Sequence, residues 1–425
     1  MKTYPTLKAS GVDWIPEIPS HWDVRRTDNL FCHNKERNTT EEEHVVLSLS
    51  YGNIVRRNIE TNFGLLPESF ETYQVLNPGD IVLRLTDLQN DKRSLRVGLS
   101  KHRGIITSAY VGLRAKESTV YSPFFYRLLY TYDILKLFYT LGAGVRQSMR
   151  FEDVRRIPLL IPPLPEQKQI VSFLDSRNTL IDTIIENKTQ RIELLKEMRS
   201  SLISEVVTKG TSPDVPMKDS GVECIGKIPS HWVVSKVKFF YSLTSGFPFD
   251  SETLTNEATQ YPVIRIGNVT SGKIDIYYSG SMNDRIPTVD TGDYVVSLTG
   301  DFNIREWRQP PSLLNQRCGL VKVIGSHVPR YLFYVLPDQF TFLENTKYYT
   351  TLKNLSNGEF LNIHLLVPPI DEQERIVSFL DEKTALIDEE VSREESSIVY
   401  MNEFRQSLIH EVVTGKMDVR GVVTS

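Results

Sequence analysis

Residues 157–182, IPLLIPPLPEQKQIVSFLDSRNTLID, return at 363–388 as IHLLVPPIDEQERIVSFLDEKTALID, with 16 of 26 positions identical. Self-similarity at a long fixed spacing means that one structural unit is encoded twice, so further copies are sought on both sides of this stretch. Upstream, SGVDWIPEIPSHWDVRR at 10–26 returns as SGVECIGKIPSHWVVSK at 220–236, with 10 of 17 identical. Downstream, RSSLISEVVTKG at 199–210 matches RQSLIHEVVTGK at 405–416. Three collinear matches exclude coincidence. Between them lie two segments, 27–156 and 237–362, with no obvious resemblance to each other. Each is long enough to bury its own core.

The repeated stretch predicts a long helix. Pro162-Pro163 and Pro368-Pro369 end whatever precedes them, because proline continues neither a strand interior nor a helix interior. Glu166 and Asp371-Glu372 then fall in a first turn, where a helix N-terminus favours negative charge. Apolar residues follow at coiled-coil spacing: Leu174, Ile181, Ile185, Ile192, Leu195, Leu202 and Val206. The second copy supplies Leu380, Ile387, Val391, Ile398, Met401, Leu408 and Val412 in the same register. Gly210 and Gly415 mark the ends. Such a stripe admits two readings, each helix packing on its own domain or the two helices packing on each other. Matched seams in matched copies are self-complementary and favour the second. Lys188 interrupts the first seam and Glu394 stands at its equivalent, an opposite-charge pair suited to fixing register.

The chain has 425 residues, 40% hydrophobic and 24% charged, which describes a globular protein of two or three domains. No apolar run approaches a membrane span, and none follows Met1-Lys2-Thr3-Tyr4-Pro5, so no secretory signal and a cytoplasmic location are expected. Cys32, Cys224 and Cys318 are too far apart to suggest a metal site or a disulfide framework. The net charge of −4 is unevenly spread: residues 370–414 hold 12 Asp or Glu against 4 Lys or Arg, which leaves the remainder at about +4. Acidity in one helix does not exclude positive faces elsewhere. The segments 81–85, 104–113, 261–269 and 293–298 read as strands, and Pro123 to Thr140 and Val328 to Asn345 as helices.

Catalytic signatures are missing. There is no phosphate loop of the GxxxxGK[ST] type, no Asn/Asp-Pro-Pro-aromatic run of the kind that grips a flipped adenine, and no expected metal site. The recurring Ser-His-Trp box at His21 and His231 has no nucleophile or carboxylate motif beside it and reads as structural. The residues suited to a ligand are those suited to bases. Arg84 to Arg103 carries six Lys or Arg against two Asp, and within it Arg84, Asp87, Gln89, Asn90, Lys92 and Arg93 fit base edges or phosphates. Arg146 and Gln147, after a glycine turn, form a second candidate. Arg305, Trp307, Arg308, Asn315, Gln316 and Arg317 are the candidates in the second segment. The competing reading is a solvated polar loop; the clustering of these side chain types between strands favours contact with DNA.

Box and helix start, each present twice, resemble the specificity subunits of type I restriction–modification systems across nearly the whole chain. The similar motifs are the SGVxxIGxIPxHW-type box at 10–22 and 220–232 and the LxxLPPxxEQ-type helix start at 157–167 and 363–373. The stretch LRLTDLQNDKRSLRVG at 83–98, and Gly-Asp-Phe at 300–302 with Asn-Gln-Arg at 315–317, are similar as well. The resemblance implies an α+β fold: two α/β target-recognition domains joined by two long antiparallel coiled-coil helices, with an internal pseudo-twofold repeat. The corresponding division is 1–156 and 211–362 for the recognition domains, and 157–210 and 363–425 for the helices. It implies a non-catalytic chain that binds double-stranded DNA and reads a bipartite target. Modification (methyltransferase) subunits would bring S-adenosylmethionine, restriction (motor–nuclease) subunits would bring ATP and Mg, and none of these cofactors would bind this chain. A coiled-coil assembly scaffold with two protein-binding domains is the alternative from another class.

Overall fold

The computed structural model describes residues 2–57, 69–88, 94–141, 148–222, 225–346 and 353–422. It divides into two compact units, one of Met1–Thr189 with Glu395–Ser425, the other of Gln190–Glu394. The first is discontinuous in sequence because the chain end returns to the beginning, where Asp418 N donates to Lys2 O at 2.9 Å.

In the first unit the repeated box folds as a hairpin of β1 (Leu7–Val12) and β2 (Ile15–Pro19), and β3 (Asp23–Arg26) follows. A short α1 (Thr27–Leu30) opens the variable segment. Its main sheet holds β4 (Phe31–His33), β8 (Ile81–Leu83), β9 (Val97–Leu99) and β11 (Val111–Ala115), in the order β4-β11-β8-β9. Two ribbons flank it, β5 (Leu47–Ser50) with β6 (Asn53–Arg56), and β7 (Gln74–Leu76) with β10 (Gly104–Ile106). Helices α2 (Ser122–Ile134), α3 (Leu137–Leu141) and α4 (Phe151–Val154) come next, and β12 (Pro158–Ile161) pairs back on β3. The segment predicted as one strand at 104–113 is two, split by the turn between β10 and β11.

The proline pair then gives way to α5 (Leu164–Lys209), 46 residues long. Gly210, at φ +78°, ends it in the left-handed region that favours glycine.

The second unit repeats the plan. It has the hairpin β13 (Met217–Asp219) with β14 (Lys227–Pro229), then β15 (Val233–Lys236), then a sheet of β16 (Tyr241–Ser245), β21 (Tyr294–Ser297), β22 (Ile304–Glu306) and β24 (Cys318–Val323). Its order, β16-β24-β21-β22, is the order of the first unit's sheet. The main sheets of the two variable segments therefore share one strand order in two sequences. Smaller ladders join β17 (Leu254–Thr255) to β19 (Tyr277–Tyr278), and β18 (Val263–Ile264) and β20 (Thr288–Val289) to β23 (Ser312–Leu314). The strand expected over 261–269 stops at Ile264. From Ile266 the chain forms α6 (Ile266–Ser271), because the Asn268 side chain accepts from Arg265 N at 2.7 Å and caps a helical turn. Helices α7 (Pro329–Thr346) and α8 (Asn357–Leu361), strand β25 (His364–Val367) paired with β15, and α9 (Ile370–Val413) complete the chain.

Each unit's core runs from its box and sheet onto its share of both long helices. In the first, Trp22, Phe31, Phe124 and Leu159 join Leu174, Leu408 and Val412. In the second, Trp232, Val296, Tyr331 and Leu365 join Val206, Ile376 and Leu380. Trp22 and Trp232 are fully buried. Among the described residues, no helix is long and apolar enough to cross a membrane.

Candidate nucleic-acid interface

The box holds the start of the long helix. Glu166, buried on α5, accepts from Tyr4 OH at 2.6 Å and Trp22 Nε1 at 3.1 Å, and its other oxygen lies 2.7 Å from His21 Nε2. Burial and the adjacent carboxylate hold the Tyr4 phenol well above its usual range. Gln167 accepts from Tyr121 N at 2.9 Å and donates to Pro162 O at 2.9 Å. In the second unit Glu372 meets His231 Nε2 at 2.8 Å, and Gln373 accepts from Val328 N at 3.2 Å and donates to Pro368 O at 2.9 Å. The histidines thus fasten the box to the helix start, through carboxylates that the sequence places far from them. What the sequence reading missed was the partner, although the Glu-Gln pair repeats in plain view.

The helices run antiparallel within each unit. Gln169 Nε2 reaches Val419 O at 3.2 Å and Asp182 pairs with Arg405 in the first. In the second, Arg191 meets Glu390 at 2.7 Å and Arg199 meets Asp388 at 2.9 Å. Leu174, Ile181, Ile192, Leu380, Ile387 and Leu408 of the predicted seam are buried; Ile185, Leu195, Leu202, Val391 and Ile398 are half-buried. The buried Glu394 carboxylate takes Arg191 Nε at 3.3 Å.

The candidate readers fall partly on a hairpin that both units share. In the first, the β8–β9 ladder is prolonged by Arg84 N donating to Arg96 O at 2.8 Å, and Met149 N donates to Leu85 O at 2.9 Å. Leu85 and Leu88 are buried, whereas Arg84 is half-buried and Asp87, at φ +57°, is exposed. In the second, Ser297 N donates to Asn303 O at 2.9 Å and Leu355 N donates to Leu298 O at 2.8 Å. Gly300, at φ +80°, takes the place of Asp87. Aligned on these contacts, GDIVLRLTD at 79–87 and GDYVVSLTG at 292–300 share five of nine residues, a signal too short to find without the structure. Gln316 and Arg317 are exposed on a turn whose carbonyl, Arg317 O, accepts from Leu298 N at 2.9 Å, beside the second hairpin.

Other candidates lie elsewhere. Arg96, counted in the basic run, is fully buried and faces inward. Trp307 is core, its Nε1 donating to Pro310 O at 3.1 Å. Arg305 donates to the carbonyls of Val269 and Thr270 at the C-terminal end of α6, and burial keeps its guanidinium below its usual range. Arg308 is exposed and paired with Glu306 at 2.9 Å. Arg305 and Arg308 line a cleft of about 620 Å³ in the second unit, which also holds Arg330, Asp381 and Asp388. There Arg330 bridges Glu306 and Asp381, both at 2.6 Å. Gln89, Asn90, Lys92, Arg93, Arg146 and Gln147 lie outside the described residues. Burial pushes the Cys318 thiol up to about 12. Among the described residues, no group of three or more His, Cys, Asp or Glu is placed to hold a metal ion.

A hairpin repeated in two divergent sheets, each sheet fastened to the same helices by a repeated box, defines a protein that varies its surface and keeps its frame. The chain matches the family described as "Type I restriction modification DNA specificity domain" over residues 97–194 and 229–395, more than half its length, and it belongs to that family. It is 27% identical over 431 aligned residues to the type I restriction enzyme MjaVIII specificity subunit of Methanocaldococcus jannaschii, covering 95% of each chain. It is 30% identical over 191 residues to the EcoBI specificity subunit of Escherichia coli, a match spanning 45% of this chain and 40% of that protein. Among solved structures, one described as "Structural basis underlying complex assembly and conformational transition of the type I R-M system" superposes with a TM-score of 0.70 at 15% identity, covering 94% of this chain and 99% of the other. The HsdS subunit from Thermoanaerobacter tengcongensis gives 0.53 at 15% identity, covering 94% and 98%. The last two likenesses show the fold.

Proposed function

We propose that this chain is the sequence-reading subunit of a type I restriction–modification enzyme, without a catalytic centre of its own. Each unit reads one half of a bipartite duplex target, and the antiparallel helices set the gap between the halves. Adenine methylation falls to modification subunits that carry S-adenosylmethionine, and cleavage to motor–nuclease subunits that use ATP and Mg. The observation that carries this reading is the shared hairpin: both units fix a loop at the same points of the same two strands, with loops of different length and different side chains on them. A common frame with exchanged contact residues is what reading two base sequences with one fold requires.

The test is a selection from a pool of random duplex DNA by the chain assembled with its modification subunits. The expected product is two short fixed sequences separated by a constant spacer, and methylation of an adenine in each. Binding that ignores sequence, or no binding to DNA at all, would favour a protein-binding scaffold instead. The isolated chain is expected to transfer no labelled methyl group.

A further inference from the structure

The residue that closes the hairpin differs between the units, and in both its side chain turns back into the loop. Arg96 spends its guanidinium inward. Nη1 donates to Arg84 O at 3.1 Å and Thr86 O at 2.9 Å, Nη2 to Asp87 O at 3.3 Å, and Nε to Tyr139 OH at 2.9 Å. Its backbone N–H is held by Asp133 Oδ2 at 2.6 Å, and the guanidinium stands 5.2 Å from the centre of the Tyr139 ring. At the equivalent position, Asn303 Nδ2 donates to Asp301 O at 3.2 Å, and Asn303 N to Ser297 Oγ at 2.7 Å. Ser297 Oγ in turn donates to Asp301 O at 2.7 Å.

The difference follows loop length. Between Arg84 and Arg96 stand eleven residues, between Ser297 and Asn303 five. In the short loop one amide and one hydroxyl meet the Asp301 carbonyl, and Glu344 Oε1 accepts from Phe302 N at 3.0 Å. A long one has several carbonyls turned inward, and each buried carbonyl needs a donor. Arginine offers five N–H donors in a fixed fork, where lysine offers a single ammonium. A fully buried guanidinium is costly to desolvate, so it persists where it satisfies such a set of acceptors.

We propose that Arg96 and Asn303 are positioning residues for target specificity: each sets the shape of its unit's reading hairpin from inside and touches no base itself. Arg96 aims the segment Arg84–Leu88, and Asn303 the turn Thr299–Phe302. A base contact discriminates only while its donor is held in place, so loosening the loop costs selectivity before it costs general affinity for DNA. The proposal rests on the reading of the hairpins as DNA-facing.

The experiment is selection from random duplex DNA by the assembled complex, carried out with the wild-type chain, R96K, Y139F and N303A. R96K and Y139F are expected to relax base preference at one half of the target by about tenfold or more and to leave the other half unchanged. N303A is expected to do the reverse. Should R96K fail to fold, Y139F removes one of its contacts at a half-exposed side chain, and N303A removes a single surface amide, so both sides remain testable. Wild-type selectivity retained at both halves by all folded variants would overturn the proposal. A loss of affinity equal for every sequence would also overturn it, and would assign these residues to stability alone. A wild-type complex that selects no sequence would instead sink the reading of the hairpins on which the proposal rests.

Discussion

Glu166 is the third residue of a helix and would be read from sequence as a favourable charge in a first turn. In the fold it is the acceptor for three side chains brought from 144 to 162 positions earlier. Replacing it with alanine strands a buried phenol and a buried indole N–H. Glu166→Ala is expected to cost about 2–3 kcal/mol in denaturant unfolding. A change below about 0.5 kcal/mol would show that the clamp adds nothing to stability. His327 offers a pH test. The residue is 9% exposed, its ring centre lies 4.5 Å from that of Phe240, and burial lowers its pKa from the usual 6.5. The unfolded chain therefore binds the proton more readily, so this contribution to stability is complete above the unfolded value and is lost as pH falls below it. A lower urea midpoint is expected at about pH 5.5 than at about pH 7.5, and His327→Asn should lessen the drop. Partners of this kind were illegible in the sequence because tertiary distance leaves no periodic trace.

At the scale of the element, the long helices were the most legible part. A seven-residue apolar repeat bounded by Pro-Pro and Gly dictates a helix and its buried stripe, and α5 and α9 follow it closely. Short strands were less so: the run after Pro262 is β-branched, yet one side-chain cap at Asn268 turned its second half into α6. The shared hairpin escaped notice because its common residues are few and its loops differ in length. The seam yields a direct prediction. Ile181, 4% exposed in the first unit, and Ile192, 7% exposed in the second, are buried on the apolar stripe of α5. Ile181→Asp and Ile192→Asp should each cost on the order of 3 kcal/mol or more, through lost apolar burial and a desolvated charge. Arg199→Ala removes an exposed ion pair to Asp388 and should cost less than about 1 kcal/mol. Thermal melting of the three variants checks the ranking, and equal melting temperatures would refute the seam.

For the whole molecule, the proposed division of labour turns on where each variable segment leaves the frame. Thr27 N donates to Ile157 O at 2.9 Å, and Val237 N donates to Ile363 O at 3.0 Å, so each segment begins and ends at hydrogen-bonded neighbours on repeated elements. A segment whose ends are pinned together can be exchanged without moving what lies outside it, much as a loop with close ends tolerates replacement. Replacing 27–156 with the corresponding segment of a relative is therefore expected to change one half of the selected sequence and keep the other. Insertion into the helices is the complementary test. The boundary between the units falls at 189/190 on α5 and at 394/395 on α9, so a spacer change needs matched insertions at both places to keep the two seams in register. One added turn is about 5.4 Å of helix against about 3.4 Å per base pair, so the gap should grow by one or two base pairs with both half-sites intact. Methylome sequencing of cells carrying each variant reads the half-sites and the gap together. An exchange that rewrote both halves, or an insertion that altered a half-site, would show that reading and spacing are not encoded by separate parts of this chain.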